Sequence, residues 1–595
     1  MDPMLPIRPQ VPRRAPARSP TLPAGTRPAA DAYDSVKKDL FNPAASNKLN
    51  FTNEQQWTLC EKANPEETLD QKVIRAFTND IQIFKFVPFL YLVRANSFFN
   101  LRHPMLAIGD CCKAIRLVEI ASGYKNVAGL DVCDTTKVLE TNMQYCRECL
   151  VEGSEDWVQA SDFRALVKDV GYILLEAASL MGANPDSLED VLGSVFEIVP
   201  EFRETVWGPY YDKVLAEAMV NEDAKEDLEY LKNKGRAWTA VVENMNEELD
   251  TIELSRERLG LQTVLKYMAR VDPKLLVCPM KSVELTWDGA DDEEQQGTTH
   301  MGMIAQYDIL AKAKISHDKT NIVIQDTGNT KPPYRCDNCW KVVYDFGPTS
   351  GLVCCYHAVT RDKEAPMAPT VYCNAMCKYE NRYIHELWHQ AETNTAYEAA
   401  AADNDFPLFV AKLWTMKHAT HPLKTIEMQC TLAQFGPHTR HDFSIQRDLI
   451  DPWDTLLELK FDVFGDMRFE TWVMLSLKHK WDNNKRIKND LKMVFPIRAM
   501  YNHSCNSNAM VAVALSKRGG DAEELPVNQE VVYARREINE GEEVTISYIG
   551  GGAHAMPRKQ RALALKNVGI GYCECLFCYS QREEETRKKD RRKKK

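Results

Sequence analysis

No run of the 595-residue sequence is apolar for long enough to cross a bilayer. The most apolar long stretch, "VGYILLEAASLM" (170–181), is interrupted by Glu176 and falls well short of a membrane span. No membrane partner is expected. The apolar core of a secretion signal is also missing, since the first residues are proline-rich instead. Scattered arginines there would suit a mitochondrial presequence, but the prolines oppose the amphipathic helix that one needs. Nor is there an excess of positive charge. Lys and Arg number 74 against 85 Asp and Glu, a formal charge of −11. A generic DNA binder draws its affinity from the opposite balance, so sequence-specific nucleic-acid binding is not expected. A basic peptide would suit the acidic body, and the nucleus or cytoplasm is the expected location.

What is present is ordinary for a folded chain of several domains: 44% hydrophobic and 27% charged residues. The length prior suggests about four domains. The 18 cysteines are the informative count. Paired cysteines in a large chain with no secretion signal point to metal rather than disulfides.

Residues 1–50 read as a disordered proline-rich tail and 51–260 as helical. Within the latter, "FLYLVRANSFFNL" (89–101) and "HPMLAIGDCCKAIRLVE" (103–119) predict two amphipathic helices joined at His103-Pro104. Ala95, Phe99, Leu101, Ala107, Asp110 and Ala114 recur in a pattern that resembles one tetratricopeptide unit, which implies a helical region that binds protein partners. Cys146 and Cys149 have no second pair near them and read as structural. Past 260 the texture changes. "KSVELTWDG" (281–289) and "TNIVIQDTG" (320–328) predict strands on either side of an acidic loop. A largely helical stretch is expected to 490, short strands to about 550, and a solvated basic tail over 581–595 that would serve as a nuclear-localisation or phosphate-binding patch or simply keep the end soluble.

Between 336 and 389 potential zinc ligands fall in four pairs: Cys336 and Cys339, Cys354 and His357 (with Cys355 as competitor), Cys373 and Cys377, His385 and His389. Two or three intervening residues aim both side chains of a pair at one tetrahedral ion. Eight ligands make two closed sites with no open position for a catalytic water. "HELWH" (385–389) also fits the zinc-peptidase signature H-E-x-x-H, a minor alternative. The usual extension is absent: Glu392 stands at its glycine position and Thr395 at its third histidine. Further on, "YCECLFC" (572–578) supplies Cys573, Cys575 and Cys578 without a fourth ligand. Cys505, isolated in "NHSC" (502–505), would complete that site if the fold brings it alongside.

The four pairs resemble a MYND finger, including Tyr372 ahead of Cys373, with His357 and His389 standing where that family usually has cysteine. MYND pairs interleave, which implies Cys336, Cys339, Cys373 and Cys377 on one zinc and Cys354, His357, His385 and His389 on another. "NHSC", "GEEVTISY" (541–548) and C-x-C-x2-C, in this order, resemble SET-domain lysine methyltransferases. The embedded finger is similar to the SET-and-MYND (SMYD-type) branch. "HMGMIAQYDI" (300–309) resembles the start of the domain, with His300 in place of the first glycine of G-x-G and Ser507 in place of a proline after "NHSC". The resemblance implies a multidomain α+β protein: a helical region, then a SET domain in two parts (261–335 and 491–549). A zinc finger (336–389) and a helical insert (390–490) would lie between those parts, and a post-SET zinc segment (550–580) after them. It implies S-adenosylmethionine as cofactor, held by Gly302, Asn502, His503 and Tyr572, with Tyr548 catalytic, and Tyr572 or Phe577 as an aromatic wall. It also implies three zinc ions, two in the finger and one post-SET, a protein or peptide lysine as substrate, and protein partners on the helical region and finger. The rival is a catalytically weak scaffold of the same architecture.

Overall fold

The computed structural model describes residues 69–101, 103–124, 132–180, 185–212, 275–281, 299–325, 335–343, 352–357, 368–382, 404–417, 422–425, 444–488, 491–512, 514–516, 522–550, 552–567 and 575–593, and residues 399, 428 and 573 singly. The expected N-terminal tail lies outside them. Among the described residues, no helix is long and apolar enough to cross a membrane.

The first part is a layer of helices: α1 (Leu69–Ile83), α2 (Pro88–Asn100), α3 (Pro104–Ala121), α4 (Thr135–Cys149), α5 (Glu155–Ser161), α6 (Phe163–Leu180) and α7 (Pro185–Ile198). Pro88 and Pro104 open their helices where no backbone N–H is needed. Asp134 caps α4 by accepting from the Lys137 amide at 2.7 Å. The sequence leads one to expect α2 and α3 to keep a polar face in water. The structure instead buries them nearly all round, Arg94, Asp110 and Lys113 included. The reason is a second partner: α3 packs on α6 and also on a later helix, Thr471–Asn484. Alanines 95, 107 and 114 are fully buried where the helices pack closely.

That junction is keyed by polar groups. Arg94 donates to both Asp110 oxygens at 2.7 Å and to Glu470 at 2.9 Å, and Lys113 donates to the Phe469 carbonyl at 3.1 Å. Two cations thus face two carboxylates, so no buried charge is left uncompensated. Arg116 reaches Asp454 at 2.8 Å. Gly109 lies so near Thr471 that a Cβ there would stand 1.8 Å from its Oγ1. The helical layer and residues 462–471 therefore share one interior. Cys146 is buried inside α4, and among the described residues neither it nor Cys149 joins a metal-sized group.

The second part is built of short strands. β1 (Leu275–Lys281) pairs antiparallel with β2 (Thr299–Ala305), which sets Cys278 opposite Gly302. The expected strand at 281–289 shares only Lys281 with β1; the rest lies outside the described residues. β3 (Lys314–Lys319) and β4 (Val323–Gln325) follow, then the hairpin of β5 (Leu352–His357) and β6 (Ala368–Tyr372). α8 (Ala375–Glu380), α9 (Phe406–Lys417), α10 (Asp451–Glu458) and α11 (Thr471–Asn484) come next. The chain returns as β7 (Arg486–Lys488), β8 (Leu491–Met493), β9 (Asn502–His503), β10 (Ala509–Ala512), β11 (Ala514–Ser516), β12 (Ala522–Glu524), β13 (Gln529–Ala534) and β14 (Thr545–Ile546). Sheets form in the orders β10-β13-β3 and β4-β8-β7, and β14 pairs with β9 in parallel. Met303, Ile315, Tyr501, Val532, Val544 and Ile546 share one core, and Val323, Leu491 and Met493 of the β4-β8-β7 sheet belong to another.

α12 (Arg558–Asn567) and α13 (Leu576–Lys593) close the chain. The basic tail read as a solvated end is helical through Lys593. Glu583 with Arg587 and Glu584 with Lys588 form i,i+4 pairs along it, and cations near a helix C-terminus favour the macrodipole.

Candidate active site and thiol clusters

Two groups of four cysteines bring their sulfurs within 4.8 Å of one another, and each could hold a metal ion. The first joins Cys336, Cys339, Cys373 and Cys377. Cys336 opens a tight knuckle in which the Trp340 amide donates back to its carbonyl at 2.8 Å, with Trp340 itself at φ +63°. Cys373 ends the β6 side, and Cys377 sits in the first turn of α8, whose cap Asn374 accepts from the Cys377 amide at 2.9 Å. Asn381 locks the two halves by donating to Asp337 at 2.6 Å and to the Tyr372 hydroxyl at 3.1 Å. The sulfur separations of 3.6 and 3.5 Å lie close to the edge of a tetrahedron with Zn–S bonds of about 2.3 Å.

The second group joins Cys505, Cys573, Cys575 and Cys578, with Cys505 at 3.7 Å from Cys573 and 3.5 Å from Cys578. Cys578 lies in the first turn of α13, where helix-end N–H groups favour thiolate. Arg561, buried on α12, points Nη2 at the Cys578 sulfur from 3.4 Å and stacks over the Phe577 ring. A cation beside four sulfurs offsets the charge that four thiolates would carry around a divalent ion.

Of the other ligands expected for a finger, Cys354 and His357 lie on β5, but their side chains are outside the described part, as are His385 and His389 altogether. Tyr572 is likewise outside. Phe577 packs with Cys505 and Leu565 beneath α12.

Cys505 ends the segment that carries the rest of the site. The parallel pair sets Asn502 opposite Thr545 and His503 opposite Ile546. Beyond it, the Ser504 amide donates to the Ile546 carbonyl at 3.0 Å. Tyr548 is thereby carried to the "NHSC" turn. Its hydroxyl donates to the Tyr501 carbonyl at 2.6 Å, and its amide donates to His503 Nδ1 at 3.1 Å. Because Nδ1 accepts, the ring proton of neutral His503 resides on Nε2, which faces the Cys505 sulfur at 3.3 Å. One imidazole thus links Tyr548 to the thiol cluster. Gly302 lies on the neighbouring strand, where the Val544 amide donates to the Met303 carbonyl at 2.7 Å and the Ala305 amide to the Glu542 carbonyl at 3.0 Å.

Residues 296–549 match the sequence model of the SET domain. This part of the chain is a SET domain. Two curated relatives are similar to short pieces of this chain. "Histone-lysine N-methyltransferase ATXR2" of Arabidopsis thaliana is 37% identical over 84 residues, 14% of this chain and 15% of that protein. "Histone-lysine N-methyltransferase SET5" of Meyerozyma guilliermondii is 32% identical over 97 residues, 16% of this chain and 18% of that protein. The matches thus span less than a fifth of either relative.

Within the SET domain, withdrawal from water pushes the Tyr548 phenol up to about 12, with the Glu543 carboxylate adding in the same direction and Arg498 opposing. Tyr548 is therefore a neutral hydrogen-bonding group at ordinary pH and not a base. Three groups beyond the sequence candidates hold the geometry. Asn508 donates to Glu542 at 3.0 Å and to the Glu543 carbonyl at 2.8 Å, and it accepts from the Thr545 amide at 2.8 Å. Buried Asp318 accepts from the Arg498 amide at 2.9 Å at the start of the turn before Tyr501. Ser316 meets the Tyr501 hydroxyl at 2.8 Å. Asn508 was open to notice, as a polar residue ending the run "NHSCNSN". Asp318 and Ser316 carried no local signal, because their partners lie 180 and 185 positions away.

Proposed function

We propose that this protein is an S-adenosylmethionine-dependent protein-lysine N-methyltransferase of the SET-and-MYND type. The observation that carries the reading is the convergence of Asn502, His503, the Tyr501 carbonyl and Tyr548 on one parallel strand pair beside Gly302. In this reading Gly302, Asn502 and His503 bind the cofactor, and Tyr572 or Phe577 walls the lysine channel. The cofactor supplies a methyl group on a sulfonium, open to displacement by a neutral amine. The Tyr501 carbonyl and Tyr548 oxygen, 2.6 Å apart, form a rim of acceptors that can make weak C–H···O contacts to a methyl group and so align it. Because Tyr548 stays protonated, the lysine proton leaves to solvent, helped by an apolar channel that disfavours the ammonium.

The two described thiol clusters are read as zinc sites, and Cys354, His357, His385 and His389 as a third. All three are structural, each closed by four protein ligands. The domain layout is the one the motifs imply: SET halves at 261–335 and 491–549 around a finger (336–389) and a helical insert (390–490), with the post-SET segment at 550–580. The helices of 51–260 would form a tetratricopeptide-like partner-binding region. The substrate is a lysine in a protein or peptide, and the location nuclear or cytoplasmic. Calorimetric titration of zinc-loaded protein with S-adenosylmethionine tests the reading. One-site binding is expected, and no detectable binding would leave only a scaffold.

A further inference from the structure

We propose that the second half of α13 is a docking arm for the phosphate backbone of duplex DNA, bound without regard to base sequence. The 18-residue helix is divided in charge. Residues 576–586 carry one cation and three acids, whereas 587–595 carry eight cations and one acid. The chain as a whole has a formal charge of −11, so this positive charge is concentrated rather than general.

The first half of the helix is fastened to the fold. Cys578 joins the C-terminal thiol cluster, and Gln581 accepts from buried Arg561. Arg582 donates to the Cys573 carbonyl at 3.4 Å, and Arg558 of α12 donates to Glu585 at 2.6 Å. Glu585 thus serves α12, while Glu583 and Glu584 reach forward to Arg587 and Lys588. Arg587, Lys588 and Arg591 are exposed, and their spacing of three and four residues puts them on one side of the helix. The ion pairs with Glu583 and Glu584 lie in water, where such pairs are weak and a phosphate can replace the carboxylate.

Charge density selects the partner. Six cations in residues 587–593, at the α-helical rise, amount to one per about 1.8 Å of axis. Duplex DNA carries one phosphate charge per about 1.7 Å of its axis. After Tyr579 the helix has no aromatic residue, so it lacks the stacking platforms that hold single strands. It has no apolar residue there either, and so no face to bury in a bilayer. The arm starts about 14 Å along the helix from Cys578, which holds a bound duplex near the "NHSC" turn.

The test measures binding of a short labelled duplex of mixed sequence to the zinc-loaded full chain by fluorescence anisotropy. No methyl transfer is involved, so the outcome is independent of the proposed activity. The association constant should fall with salt, log K against log salt sloping at about −3 or more steeply. Arg587→Gln, Lys588→Gln and Arg591→Gln together should weaken binding by about tenfold or more and flatten the slope by about one unit per cation. Zinc content and melting temperature should stay unchanged. Glu583→Gln with Glu584→Gln, which releases Arg587 and Lys588, should tighten binding by about threefold, a gain that an unfolded variant cannot give. A wild type that does not bind the duplex, or a triple variant that binds it equally well, would overturn the proposal. So would tighter binding of poly-glutamate or of phosphatidylserine vesicles, which would assign the helix to an acidic protein or a membrane surface.

Discussion

Cys336, Cys339, Cys373 and Cys377 make a cluster whose two halves are 34 positions apart at their Cys339–Cys373 contact, and its surroundings are its own knuckle and helix. Cys505, Cys573, Cys575 and Cys578 use the same ligand type and nearly the same sulfur separations, but Cys505 reaches across 68 positions to Cys573. Its surroundings are the candidate active site: His503 touches the Cys505 sulfur with one nitrogen and the Tyr548 amide with the other. The first cluster organises a module. The second fastens the C-terminal helices to the turn that carries the proposed cofactor ligands. Equal ligand sets therefore predict unequal consequences for the proposed catalysis.

The largest contrast should come from Cys578→Ser against Cys339→Ser. The former is expected to lose one equivalent of zinc and all detectable methyl transfer. The latter is expected to lose one zinc from the finger and keep activity within about tenfold of wild type. Metal content by mass spectrometry and a lysine-peptide assay would read both, and equal loss in the two variants would erase the distinction. Next in size is Tyr548→Phe, which keeps the ring and removes the hydroxyl bonded to Tyr501. It should lower kcat by roughly tenfold or more, with no loss of zinc and a melting temperature near wild type. A fully active variant would remove Tyr548 from the mechanism.

A smaller effect is expected from pH. With the Tyr548 phenol pushed up to about 12, nothing at that residue titrates near neutrality. The rate should rise through the alkaline range as the substrate lysine, with an ordinary value of about 10.4, loses its proton. An alkaline fall near neutral pH that Tyr548→Phe abolished would contradict this. The smallest effect belongs to Glu386→Ala in the "HELWH" segment. Zinc content and activity should stay at wild-type levels, whereas a zinc-dependent peptidase activity lost in this variant would revive the peptidase reading.

The same contrast explains what could be read in the sequence. Cys336-x2-Cys339, Cys373-x3-Cys377 and C-x-C-x2-C are short-range patterns, because one turn or helical step aims each set at one point. Cys505 was visible only as a lone cysteine that another segment lacked. Glu543 looked like one acid of a polar turn, since its partner Asn502 lies 41 positions away. The helical layer was legible as helices but not in its burial. Arg94 meets Glu470 across 376 positions, so nothing near α2 announced that its polar side would be covered. The basic tail was legible as a solvated end but not as a helix, although the spacing of Glu583 and Glu584 ahead of Arg587 and Lys588 favours one.

On this reading the C-terminal thiol cluster builds the proposed cofactor site. Calorimetric titration of S-adenosylhomocysteine into zinc-loaded wild-type, Cys339→Ser and Cys578→Ser proteins tests it most directly. One-site binding is predicted for the first two and none for the third. Wild-type affinity in Cys578→Ser would contradict the claim.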